Sequence, residues 1–299
     1  MTTSIENDLL SGQGVEAIDT PALVVDLDAL ESNLTRMADY FAGRHCRLRP
    51  HFKSHKCVEL ARRQLAAGHA CGVTCAKLSE AQRLVAGGID DILIANQVVG
   101  PRKGARLAEL NDTATVRCAV DSLEGVEQLD QEAGNRGCTI PVLVEVDIGM
   151  NRCGVAPGRP TLALAREVTA RKHLRFDGLQ GYEGHLVSIA NESDRRAHTT
   201  EAIRPLIETK RLLEASGLEV PIVSSGSSST YDMTGDVEGI DELQCGSYAL
   251  MDWMYQKLRP EFHIARWVLA TVISAQSDSV VVDVGIKGIG CDFGPPVVQ

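Results

Sequence analysis

No apolar run in this 299-residue chain approaches the roughly 18 residues that a membrane span needs. The opening MTTSIENDLLSGQG lacks the basic start and apolar middle of a secretory signal, so the sequence reads as that of a cytoplasmic protein. Paired cysteines are also missing. The nine cysteines, at 46, 57, 71, 75, 118, 138, 153, 245 and 291, are odd in number and contain no CxxC, which argues against a disulfide framework or a zinc knuckle. They read instead as small buried hydrophobes. Positive charge is short as well: 30 Lys and Arg against 40 Asp and Glu leave a net charge of −10, which argues against long-range attraction to nucleic acid. What is present is a sequence 44% hydrophobic, long enough for one large domain or one large and one small.

From about residue 20, short β-rich runs alternate with helical patterns, the rhythm of an α/β fold. Strands are predicted at 22–26, 47–53, 72–76, 91–97, 115–121, 141–149, 174–184 and 221–227. Helical patterns separate them, including one opened by Pro101 and one stopped by Gly137. Eight such units predict a (β/α)8 TIM-type barrel over residues 20–240. Beyond it, WVLATVISAQ (267–276) and SVVVDVGIKGIG (279–290) have only turn residues between them and predict an antiparallel hairpin. Residues 241–299, with 1–19, are therefore expected to form a partial small β-domain.

Against the acidic background, RLRPHFKSHK (47–56) is conspicuous for its six basic side chains. On a strand, His45, Arg47, Arg49, His51 and Lys53 share one face, with Cys46, Leu48, Pro50 and Phe52 on the other. The apolar face suits surrounding helices, which turns the basic set into the barrel, where each charge needs a counter-charge. Arg47 and Arg49 could find theirs in Glu145 and Asp147 as a packing layer. His51 and Lys53 lie at the strand's C-terminal end, where barrel enzymes gather catalytic groups. VSSGSSST (223–230), following the last predicted strand, can offer backbone N–H groups and hydroxyls to a phosphate. A lysine at one strand end and a phosphate cradle at another are what a barrel holding pyridoxal phosphate requires.

RPHFKSHK resembles the RPHxKxHK signature of the D-threonine aldolase and D-serine dehydratase group, enzymes of the alanine-racemase-like class. The likeness continues through DTPALVVDLDALESN, GVTCAKLSEA, DILIANQ, VEVDIGMNRCGV, GLQGYEGH and LQCGSYALMD, in order along most of the chain. It implies that Lys53 carries the pyridoxal phosphate, that Arg152, Gln180 and Tyr182 lie at its ring, and that Ser225, Gly226, Ser227, Ser228 and Tyr248 surround its phosphate. His51 and Tyr182 join Lys53 as implied catalytic groups. The family's loop is richer in glycine than SSGSSST, so the serines are expected to restrict its backbone. The resemblance also implies a divalent metal held by a later part of the β-domain; no metal ligand is assigned in this sequence.

The reaction implied is retro-aldol cleavage of a D-3-hydroxy amino acid, of the D-threonine or 3-hydroxyaspartate type, to glycine and an aldehyde. Elimination to a 2-oxo acid and ammonia is the alternative, as is a weakly active or non-catalytic carrier of the cofactor. Without a metal, His51, His55 and His185 are the bases left for the hydroxyl, and activity is expected to be weak. The class implies a small-molecule amino acid substrate and a homodimer.

Overall fold

Strands buried on both faces need apolar side chains on both, and the inner sheet is built from such runs. The computed structural model describes residues 11–290 and 294–298; the first ten residues, expected in the small β-domain, and Cys291 lie outside them. Eight strands form one parallel sheet: β2 (Arg47–Leu48), β3 (Val73–Cys75), β4 (Asp91–Gln97), β5 (Thr115–Val120), β6 (Ile140–Glu145), β7 (Leu174–Gln180), β8 (Ile222–Ser225) and β9 (Glu242–Leu243). Their order is β2-β9-β8-β7-β6-β5-β4-β3. Isolated parallel bridges from Leu48 to Ala70 and from His51 to Thr74 join the two ends, so the sheet curls into a barrel.

Helices cover the outside: α1 (Leu27–Phe41), α2 (Val58–Ala66), α3 (Leu78–Ala86), α4 (Pro101–Leu110), α5 (Leu123–Arg136), α6 (Arg159–Ala170) and α7 (Glu192–Ala215). Their apolar stripes, with Leu34, Leu84, Leu107, Leu129, Val168 and Leu206, pack in one core with outward strand residues such as Ile92, Val116 and Val142. Local chemistry sets the ends. Ser122 caps α5 by accepting from the Gly125 N–H, and Gly137 closes it in the left-handed conformation at φ 76°. Pro101 opens α4, as its sequence position predicts.

Three strand expectations change. ALVVD is not a barrel strand: β1 (Ala22–Val25) pairs antiparallel with β10 (Arg266–Leu269). Its Leu23 is 68% exposed, which no strand between helices and barrel interior could sustain. The eighth barrel strand is instead β9, two residues inserted between β8 and β2 and placed beyond the expected barrel limit at residue 240. WVLATVISAQ is two strands, not one. Its first half is β10, and its second, β11 (Val272–Ala275), forms the expected hairpin with β12 (Val280–Val282).

The basic run is also shorter as a strand than its parity suggests. Arg47 is exposed and donates to the Ala70 carbonyl. Arg49 is buried, but its partners are Glu242 at 2.7 Å and Asp91 at 2.5 Å rather than Glu145 or Asp147. Arg117 bridges the same Asp91 to Asp177, extending the ion pairs across the barrel interior. With β9 unrecognised, Glu242 could not be seen as the residue opposite Arg47 and next to Arg49.

Candidate active site

Past Pro50 the chain leaves the strand and turns through a single 3-10 turn, Phe52–Ser54. That turn buries Phe52 in the core and points Lys53 to the other side, into a cavity of about 290 Å³ at the C-terminal ends of the barrel strands. His51, Lys53, Arg152, Gln180, Tyr182, Gly226, Ser227 and Ser228 all line it. Lys53 Nζ lies 5.7 Å from the centre of the Tyr182 ring, and the Arg152 guanidinium carbon 5.6 Å from the same centre. Although Lys53 faces the open mouth, the surrounding walls lower its ammonium pKa, and the Arg152 charge acts in the same direction. More of the amine is therefore neutral and nucleophilic than in a lysine in water.

His51 is 5% exposed, and burial, with the Lys53 charge second, holds its imidazole well below the usual pKa. Its Nδ1 accepts the Lys53 backbone N–H at 3.3 Å. The neutral ring then carries its proton on Nε2, which makes His51 a donor on that side. His55 is tied up elsewhere, its Nδ1 accepting from the Cys57 N–H and its Nε2 on Gln64 Oε1. Neither His55 nor His185 lines the cavity, so of the three candidate bases only His51 reaches it.

Behind Arg152 stands the buried Glu145, 3.8 Å from its Nη2, whose carboxyl pKa burial raises and whose Oε2 accepts from Gln97. Gln180 Oε1 accepts from Gln244, whose amide also donates to Ser224 Oγ. This ladder fixes one wall.

The serine loop supplies another wall. Only Gly226 in it has a positive φ, 82°, and an added Cβ there would sit 2.6 Å from Leu243 Cδ2. The expected restriction by serine therefore does not arise: the one left-handed position keeps its glycine. Gly246 answers a different need, since a Cβ on it would stand 3.0 Å from the His51 Cβ and carbonyl oxygen. Ser228 Oγ accepts the Tyr248 N–H at 3.0 Å, which leaves its own proton to donate. Among the described residues, the N–H groups of Ser228, Gly246 and Ser247 find no acceptor in the chain. Unspent donors converging on one cavity suit an anion, and the phosphate of a cofactor fits them.

Residues 25–252 match the family described as alanine racemase, N-terminal domain. The chain belongs to that family. It is 37% identical over 300 residues to 3-hydroxy-D-aspartate aldolase of Paracoccus denitrificans (strain Pd 1222), covering 97% of this chain and 78% of the relative. It is 38% identical over 292 residues to D-threonine aldolase of Arthrobacter sp., covering 96% and 77%. The solved structure of D-threonine aldolase from Filomicrobium marinum superposes with a TM-score of 0.91 at 42% identity, over 94% of this chain and 76% of that one.

In this alanine-racemase-like chain two of the expected site residues stand behind the wall rather than in it. Ser225 Oγ donates to Glu183, away from the cavity. The Tyr248 ring is buried near Phe262, its hydroxyl accepting from Gln64, and it touches the loop only through its backbone. The reverse omission is larger: Ser54, Asn96, Cys153, Ser247 and Tyr255 line the cavity without having been singled out. Tyr255 is placed by Asp252, which caps helix α9 after α8 (Tyr231–Thr234) in the chain, with α9 spanning Trp253–Leu258. An Asp before a short amphipathic segment is a readable cap; that the helix leans over the barrel mouth is not. No cluster of three or more His, Cys, Asp or Glu able to hold a metal occurs among the described residues, and no step is derived through one.

Proposed function

We propose that this protein is a pyridoxal-phosphate-dependent lyase that cleaves a D-3-hydroxy amino acid, of the D-threonine or D-3-hydroxyaspartate type, to glycine and an aldehyde. The observation that carries this reading is the meeting, in one cavity, of a lysine with a lowered pKa and a loop with unspent anion donors. Lys53 would hold the cofactor's aldehyde carbon, Arg152, Gln180 and Tyr182 its ring, and Ser227, Ser228, Gly246 and Ser247 its phosphate. When bound, the cofactor supplies an electron sink for the bond broken at the substrate α-carbon. The chain's own residues do the rest. Lys53 Nζ, facing the cavity with its pKa lowered, would be the group placed to hold or return a proton at the substrate. His51, held neutral, lines the cavity beside Lys53 and is not the group that abstracts from a substrate oxygen. The half-buried Tyr182 and Tyr255, whose hydroxyl pKa values burial raises, narrow the mouth and can donate.

The matches of higher identity favour the aldol branch: the relatives at 37% and 38% and the structure at 42% are aldolases, whereas a D-threo-3-hydroxyaspartate dehydratase of Delftia sp. is 31% identical. The same proposal covers the molecule's setting: a cytoplasmic homodimer, with β1, β10, β11 and β12 as part of a second, smaller domain. Eight free cysteines among the described residues suit a reducing compartment, and the exposed hairpin suits a partner copy. Borohydride reduction of the protein loaded with pyridoxal phosphate, followed by peptide mapping, tests the site. The label is expected on the peptide containing Lys53, and Lys53→Ala should lose it; a label elsewhere rejects the assignment.

A further inference from the structure

Glu183 follows Tyr182 in the chain but turns the other way, and it is 0% exposed. Among the described residues no cation is paired with it; instead its two oxygens collect four donors. Oε1 accepts from Thr230 Oγ1 and Thr234 Oγ1, each at 2.7 Å. Oε2 accepts from Ser225 Oγ and the Gly226 N–H, each at 3.2 Å. A buried carboxylate satisfied only by neutral groups sets the direction of every proton around it. Because the Thr230 proton is committed to Glu183, Thr230 Oγ1 can only accept from the Ser227 N–H, which it does at 3.2 Å. That order fixes both ends of the turn 225–230 and leaves Ser228 at its apex.

We propose that Glu183 is the positioning residue of the phosphate loop. It holds the Ser225–Thr230 turn in the shape that aims the Ser228 N–H and hydroxyl into the cavity, and it acts on the cofactor's phosphate alone, through the loop. An acid behind an anion site is unfavourable by charge, so its place there is explained by the donors it orders rather than by attraction. The inference rests on the cofactor reading above.

Glu183→Gln keeps the volume but puts an amide NH2 where an acceptor is required, against either the Gly226 N–H or the two threonine hydroxyls. The hydroxyls can turn and accept; the fold then survives while the proton order is lost. Equilibrium titration with pyridoxal 5′-phosphate and, separately, with pyridoxal lacking the phosphate reads the effect. The variant is expected to bind the phosphorylated form at least about tenfold more weakly, a difference of about 1.4 kcal/mol, and pyridoxal within twofold of wild type. Thr230→Val, which removes one donor to Glu183 and the acceptor for Ser227, should show the same split. Equal losses for both ligands, or none for either, overturn the proposal. A wild-type protein that binds pyridoxal phosphate no better than pyridoxal removes the phosphate site itself and the inference with it. A wild type that binds neither rejects the cofactor reading first.

Discussion

His51 shows how much one side chain's surroundings decide. Its position in RPHFKSHK marks it for chemistry, but its chemical role follows from burial and from the Lys53 N–H on its Nδ1. A histidine held neutral in the native state and free to protonate when unfolded favours the unfolded chain as pH falls below the ordinary value near 6.5. Its contribution to stability is present above that pH and lost below it. His51→Gln should therefore flatten the fall in denaturation midpoint between about pH 7 and pH 5; a slope unchanged from wild type would remove His51 from the acid sensitivity. Lys53 was legible because it sits in RPHFKSHK, the basic stretch that carries the family resemblance. Asn96, Ser247 and Tyr255 were not, since they sit in a strand, a short turn and a short helix whose sequences resemble many others, and only the curl of the sheet brings them to one cavity.

At the scale of elements, the strands with β-branched runs were readable and the two-residue strands were not. β6 is buried at every position and reads at once as an inner strand. β9 sits in IDELQCG, where nothing but its neighbours makes Glu242–Leu243 a strand. ALVVD has the right composition and the wrong place, because composition cannot say which sheet a strand joins. The Arg49–Glu242 pair follows from β9 and binds it: Arg49 donates from Nε, its side chain is 3% exposed and that of Glu242 is 5%. Arg49→Met would leave the buried Glu242 with no cationic partner, only the Cys71 thiol on its Oε2 and nothing on its Oε1. A loss of about 3–5 kcal/mol in unfolding free energy is expected from denaturant melts. A loss below about 1 kcal/mol would mean that this pair is screened like a surface ion pair.

Seen whole, the molecule is a barrel with a small antiparallel appendage, and the appendage carries a run of exposed apolar side chains. Ile273 is 64% exposed and Val280 62%, on a hairpin that packs little else. Strands in that state cover themselves by association, which is the basis for expecting a homodimer. Sedimentation should give twice the 32.2 kDa chain mass, and Ile273→Lys with Val280→Lys should shift it toward one; a monomer in the unsubstituted protein would refute the dimer. Chain-wide rhythm made the barrel legible, but not the appendage's partner, which its own pattern does not encode.

This cavity is expected to break a carbon–carbon bond. Product analysis after incubation of the pyridoxal-phosphate-loaded protein with D-threonine and with a D-3-hydroxyaspartate decides it most directly. Glycine and the matching aldehyde in equal amounts are predicted from at least one of them, and Lys53→Ala should form neither. A 2-oxo acid with ammonia, or no turnover of either substrate, would contradict it.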